Sequence, residues 1–143
     1  MTSVVTAQVD ITTGQPTAQG QADQGAMVVQ IPCALQTCAP LNATVTAYAA
    51  SLVIKASEGA LFYVSGYNSK NAEQFILIFD AAALPADGAI PKVVYRVDAR
   101  ADFDFPFDHF GRHFTNGIVI CNSSTGPTKT IGSADCWFDA QYV

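Results

Sequence analysis

The sequence contains few charged residues and very few basic ones. Only 13% of its 143 residues are Asp, Glu, Lys or Arg, whereas roughly a quarter is usual in soluble domains. The seven Lys and Arg residues are scattered singly over positions 55–129, and the net charge is −5. Because no basic patch is present to neutralise phosphates, we expect no direct binding to nucleic acid. So few charges favour self-association or a large permanent contact with other subunits.

Long apolar runs are also missing. The longest are about five residues, far short of the roughly 18 that a membrane-spanning helix needs, so we expect no membrane partner. The opening residues, MTSVVTAQVD, have no positively charged region before an apolar block and do not resemble a signal peptide. We therefore expect a protein made in a cytosol and released, if at all, by a route such as host lysis.

Helix-forming stretches are scarce, and short β-forming runs are abundant. Aromatic and β-branched residues are concentrated at 61–64, 75–79 and 93–97, between segments rich in Gly, Pro, Asn and Asp. About ten such strands fit into the chain, which predicts an all-β fold: a two-sheet antiparallel β-sandwich with jelly-roll-like topology.

Three local features are predicted within this sandwich. Every residue of the run Phe75–Phe79 is apolar, so both faces of a strand formed by this run would be apolar. The run should form a central strand buried on both faces. Residues 51–56 and 60–65 should form a hairpin around a Glu58–Gly59 turn. A further turn is predicted at 66–69, where the sequence reads Gly-Tyr-Asn-Ser.

The N-terminal residues 1–26 differ from the body, which we place at 27–143. Val4, Val5, Val9 and Ile11 suit a strand, and residues 12–26 are a Gln-, Gly- and Thr-rich linker without an apolar anchor. One interpretation is a disordered surface loop. The other is an extended assembly arm that delivers its strand to a neighbouring subunit, since strand addition needs such a segment.

Acidic residues and histidines cluster near position 100, and oxygen and imidazole groups of this kind could hold a divalent cation. Phe and Asp alternate from 102 to 105, however, which is typical of a strand with an aromatic core face and a solvated acidic face. Pro106 indicates an edge strand or a bulge. We therefore predict no metal site and no cofactor among these residues: Asp98, Asp102, Asp104, Asp108, His109 and His113.

No catalytic constellation is visible either. The sequence has no nucleophile elbow and no glycine-rich phosphate cradle, and we predict that the protein is not an enzyme.

The four cysteines allow two predictions. If 117–122 and 135–142 form a simple hairpin, Cys121 and Cys136 lie opposite each other, about 5 Å apart at Cβ, where a disulfide is feasible but strained. Cys33 and Cys38 should lie close together in a loop bracketed by prolines. Reduced buried thiols are the alternative for a cytosolic protein, and a four-cysteine zinc site matches no familiar spacing.

The order of the pieces Gly-Tyr-Asn-Ser (66–69), Gln-Phe-Ile (74–76) and Asp-Ala-Ala-Ala-Leu-Pro-Ala-Asp-Gly (80–88) resembles small β-structured virion proteins of tailed bacteriophages. The resemblance covers about residues 51–143. It implies a structural protein in the virion, most specifically a capsid decoration or cement protein. Its partners would be the major capsid protein and copies of itself, with a trimer favoured.

Other function classes stay open. A different head–tail or tail structural protein would share the same features. A fibre or adhesin module would bind host carbohydrate through exposed aromatic residues, and ordered Tyr or Trp beside carboxylates would favour it; the candidates are Tyr48, Tyr63, Tyr67 and Trp137. A cupin-like enzyme would need His and Glu ligands inside the barrel, but the sequence has only two histidines.

Overall fold

The structure, a computed structural model, describes residues 39–143 and the backbone of two short strands before them. The chain divides into two compact units between Cys38 and Ala39, so the predicted boundary at residue 26 falls inside the first unit. Within that unit β1 (Val9–Ile11) pairs antiparallel with β2 (Gly14–Gln15). The strand β2 therefore lies within residues 12–26, the segment that is predicted from the sequence to be a linker.

Much of the N-terminal prediction lies outside the described residues. This applies to Val4 and Val5, to the side chains of Val9 and Ile11, and to residues 27–38 with Cys33 and Cys38. The assembly arm stays a prediction.

The second unit, 39–143, is a two-sheet antiparallel β-sandwich, and no helix occurs in this range. Sheet one has the strand order β8-β5-β11-β3, with β9 paired to the remaining length of β5; sheet two has the order β4-β10-β6-β7. The all-β prediction is confirmed. The strands are β3 (Leu41–Thr44), β4 (Ser51–Lys55), β5 (Gly59–Asn68), β6 (Gln74–Asp80), β7 (Val93–Val97), β8 (Ala101–Pro106), β9 (Arg112–Phe114), β10 (Ile118–Ser123) and β11 (Cys136–Tyr142).

The pairing is nested. The first sandwich strand pairs with the last (β3 with β11), the second with the second-to-last (β4 with β10), then β5 with β8 and β6 with β7. The jelly-roll-like topology stays a prediction. In the part of the chain described, no helix has the length and apolar character to cross a bilayer.

The strand β6 is one of the two inner strands of sheet two and is covered on both faces. Ile76 and Ile78 are fully buried in the core between the sheets, whereas Leu77 and Phe79 are buried on the opposite face. There the connection after β6 covers them with side chains such as Leu84. The prediction of a strand buried on both faces is confirmed.

The strand β8 lies at an edge of sheet one and alternates as predicted. Phe103 faces the core and is 5% exposed, while Asp102 and Asp104 are exposed. Phe105 stacks on Tyr95 of β7, with ring centroids 3.7 Å apart and planes 9° from parallel. This aromatic contact closes one side of the sandwich between the two sheets.

Two turn predictions are wrong. The strands β4 and β5 do not form a hairpin, because residues 56–58 carry the chain from sheet two to sheet one. Residues 66–68 are the end of β5 rather than a turn. A Cβ at Gly66 would lie 2.4 Å from the Phe103 ring, so this glycine makes room for a core side chain within a strand.

Candidate functional site

The outward face of sheet one carries an open groove of about 480 Å³. Four strands, β8, β5, β11 and β3, supply its lining residues. The lining residues are Thr44, Ser65, Gly66, Tyr67, Asp102, Phe103, Asp104, Trp137 and Asp139.

Strand alternation and register place the polar and aromatic side chains together. In β11, Cys136, Phe138 and Ala140 are buried, so Trp137 and Asp139 between them point outward. The pairing sets Asp102, Tyr67 and Trp137 side by side in one row. A second row consists of Asp104, Ser65, Asp139 and Thr44. Directly paired side chains are about 5 Å apart at Cβ, so each row is a continuous surface.

The aromatic part of the groove is ordered by packing. Trp137 is 40% exposed, and the Tyr48 ring contacts it edge-on, with centroids 5.8 Å apart and planes at 88°. Tyr67 is Trp137's neighbour in register and is half-buried. An edge-on partner restrains the indole, and the side chain stays partly exposed at the groove.

The carboxylates of the groove have different partners. Tyr63 donates its hydroxyl to Asp104 Oδ2 at 2.7 Å, and this hydrogen bond raises the pKa of Tyr63. Asn42 Nδ2 donates to Asp139 Oδ1 at 3.1 Å. The Asp102 carboxylate makes no hydrogen bond or ion pair with the rest of the described chain, and no Lys or Arg is among the lining residues. The groove therefore offers aromatic faces and negatively charged acceptors.

The four aromatic residues singled out from the sequence all lie at this face. Tyr67 and Trp137 line the groove, whereas Tyr48 and Tyr63 hold lining residues in place. Asp139, Ser65 and Thr44 were not singled out, because their positions depend on the pairing of β11 with β5 and β3. The alternation of Trp137 with Asp139 between buried residues was the available signal.

The acidic and histidine residues near position 100 do not form one site. Asp98 pairs with Arg96 at 2.8 Å, and His113 Nε2 lies 3.0 Å from Glu58 Oε2. Asp108 and His109 are exposed in the loop after β8. Within 39–143 no three His, Cys, Asp or Glu side chains are arranged to hold a metal ion.

The predicted cross-strand pairing of Cys121 and Cys136 is wrong. Cys121 lies on β10 in sheet two and faces the outer cluster with Leu77, whereas Cys136 lies on β11 in sheet one and faces the main core. Both are free thiols. The sequence between them crosses from one sheet to the other, so the hairpin that placed them opposite each other does not form. Burial raises the pKa of Cys121 to about 12 and that of Cys136 to about 11.

A buried network of side-chain amides, not found from the sequence, joins the two sheets at one end. Gln74 Nε2 donates to Asn68 Oδ1 and to Asp135 Oδ1, each at 2.8 Å. Asn122 Nδ2 donates to Asp135 Oδ1 at 2.9 Å. Asn68 belongs to sheet one, Gln74 and Asn122 to sheet two, and all three are almost completely buried.

The three amides are closed to solvent, whereas Asp135 is only partly buried. The network ties sheet one to sheet two through these side chains. Within residues 39–143 the oxygens Gln74 Oε1 and Asn122 Oδ1 have no hydrogen-bond partner, and they lie against Gly132. Because Asn122 is fully buried, its Asn-Ser-Ser sequence is not an accessible glycosylation site in the folded protein.

Comparisons with protein-family models, curated proteins and solved structures found no match. Among the described residues, the groove brings aromatic rings and carboxylates together on one surface, and it is therefore the candidate functional site.

Proposed function

We propose that this chain is a non-enzymatic structural protein of a tailed-phage virion, and specifically a capsid decoration protein that bridges major capsid subunits. The observation that carries the proposal is the resemblance in residues 51–143. Its three pieces fall at the end of β5, the beginning of β6 and the connection that covers the outer face of sheet two.

The surface supports an assembly role. Several large apolar side chains are exposed on the sandwich. Charged residues are also few, at 13% of the sequence. Permanent interfaces use apolar area of this kind and are depleted in charge. The exposed residues outside the groove are Leu41, Val53, Ile90, Val94, Phe110 and Ile131.

The mechanism is mechanical. A rigid sandwich seated across the junction of capsid subunits adds buried area, and a specific contact of this type covers about 1,200–2,000 Å². That contact resists the outward pressure of packaged DNA. A homotrimer would repeat the contact around a local three-fold axis, and the N-terminal arm would extend it by strand addition.

Binding to heads that lack this protein tests the proposal. The full-length chain should co-sediment with such heads and increase their resistance to heat. A chain without residues 1–26 should keep the same urea unfolding midpoint but bind at least about tenfold more weakly, because the arm's contacts are lost. Failure of the full-length chain to bind heads would overturn the decoration role, and binding to tails instead would identify another virion structural protein. Undiminished binding by the shortened chain would remove only the arm.

A second candidate function is recognition of host carbohydrate by a fibre or adhesin module. The groove on sheet one favours it, because an ordered Trp and Tyr lie beside carboxylates on a solvent-facing sheet. Binding of isolated protein to a saccharide through this groove is its test.

A further inference from the structure

The electrostatic character of the groove restricts what it could bind. Three carboxylates, those of Asp102, Asp104 and Asp139, line it, and no basic side chain does. We propose that the groove binds saccharides that carry free amino groups and excludes acidic saccharides. This inference rests on the second candidate function, carbohydrate recognition, and specifies its ligand class.

The aromatic row provides the stacking surface for a sugar ring. Tyr67 and Trp137 are paired across β5 and β11 and both line the groove, so their side chains lie on the same face of sheet one. An ammonium group within about 6 Å of an indole face is attracted by the negative face of the ring, and Trp is the strongest partner of this type. An amino sugar therefore gains from Trp137 both through apolar contact and through its charge.

The carboxylates flank this stacking surface. Asp102 is Tyr67's partner in register, and Asp139 lies two residues after Trp137 on the same face of β11. An ammonium group bound there would make hydrogen bonds in which both partners are charged, and these are roughly twice as strong as neutral ones. Asp104 accepts a hydrogen bond from Tyr63 at Oδ2, and Asp139 accepts one from Asn42 at Oδ1, so each offers an ammonium group its other carboxylate oxygen.

The same arrangement selects against acidic sugars. A carboxylate or sulfate ligand would meet three like charges with no cation in the lining to offset them, and juxtaposed like charges suppress wrong partners strongly. The volume of about 480 Å³ falls within the range of about 300–1,000 Å³ typical of small-ligand sites. Because the groove is open to solvent, an oligosaccharide can extend beyond it.

The chain's single tryptophan makes the test direct, because Trp137 reports on the groove through its fluorescence. Three tetrasaccharides serve as probes: one of glucosamine, one of N-acetylglucosamine and one of galacturonic acid. The glucosamine tetramer should shift the Trp137 emission and bind about tenfold more tightly than the acetylated one, and the acidic tetramer should cause no change.

Carboxylate variants locate the effect. Asp102→Asn and Asp139→Asn should each weaken the glucosamine tetramer by about three- to tenfold while leaving the acetylated tetramer unchanged. Asp108→Asn is the matched control, because it removes the same charge from an exposed loop outside the groove. Spermidine, a polyamine without a sugar ring, should not reproduce the emission shift.

Each failure has a distinct meaning. Equal affinity for the glucosamine and acetylated tetramers, or binding of the acidic tetramer, would overturn the charge selection and leave carbohydrate recognition standing. Absence of binding by all three tetramers would overturn both. An Asp108→Asn effect as large as that of the groove variants, or an equal response to spermidine, would show general charge attraction and overturn the site.

Discussion

Replacing Gly132 by Ala tests the buried amide network. A Cβ at this position would lie 2.3 Å from Asn122 Oδ1 and 2.9 Å from Gln74 Oε1. Both amides hold Asp135 in place through their nitrogens, so neither can move aside without weakening its hydrogen bonds. The backbone of Gly132 does not have a positive φ, and the cost of the substitution is therefore steric.

The magnitude follows from two contributions. Overpacking a well-filled interior costs about 1–3 kcal/mol, and a weakened hydrogen bond to a charged group adds about 1 kcal/mol or more. We expect Gly132→Ala to lower the free energy of unfolding by about 2–4 kcal/mol. Asn122→Ala should cost a similar amount, because the Asp135 carboxylate and the Ser133 carbonyl each lose a donor. Combining the two substitutions should cost about 1–2 kcal/mol less than their sum, since the nearest obstacle to the new methyl group is gone.

Urea unfolding at neutral pH measures these values, provided that the dependence on urea stays the same among the variants. Gly88→Ala is the control for replacing a glycine in open space: no atom lies within 4 Å of its Cβ position, and the positive φ of 89° is its only expected penalty, about 1 kcal/mol. A loss below about 0.5 kcal/mol for Gly132→Ala, or full additivity with Asn122→Ala, would refute the steric account.

Three further outcomes are expected. Phe79→Ala should lower the free energy of unfolding by about 2–5 kcal/mol in a urea titration, because Phe79 is buried on the covered outer face of sheet two; a loss under 1 kcal/mol would contradict that. With the other two cysteines changed to serine, Cys121 and Cys136 should stay unreactive toward a thiol reagent at pH 8 until the protein unfolds, since burial raises both pKa values; rapid labelling of folded protein would contradict it. The pKa of Asp80 is lowered from 3.8 to about 2, chiefly by the backbone N–H of Asn116. Its ionised form therefore stabilises the fold above about pH 4 by roughly 1 kcal/mol, after allowance for solvent, and this stabilisation is lost as the pH falls toward 2. Asp80→Asn should reduce the change in the free energy of unfolding between pH 4 and pH 2. An unchanged pH dependence in this variant would contradict the role given to Asp80.

The sequence predicts the strands that are defined by local pattern. The strand β6 is recognisable because every residue of Phe75–Phe79 is apolar. Only a strand that is covered on both faces can bury all of these side chains. The strand β8 is recognisable because Phe and Asp alternate. In both cases the side-chain period alone carries the information.

Features that depend on pairing between distant strands are not predictable in this way. A tight hairpin and a corner between two sheets have the same apolar alternation and the same turn residues, so the partners of β4 and of β11 were misassigned. The amide network was missed for a related reason. Buried Asn and Gln look like surface residues in a sequence, and their partners come from both sheets.

The groove could be predicted only in part from the sequence. Its aromatic residues were identified individually as exposed candidates, and the acidic face of β8 follows from alternation. What brings Trp137, Tyr67 and Asp102 into one row is the register of three strands that are far apart in sequence. Local patterns do not determine that register.

The proposal that this chain is a structural component of a phage head can be tested by cryo-electron microscopy of phage particles whose genome carries its gene. We expect density for a nine-stranded sandwich, β3–β11, at the junctions between major capsid subunits. That density should be absent from particles made without the gene and restored when the purified chain is added. A complete reconstruction of stable, infectious particles with no density for the chain anywhere would contradict it.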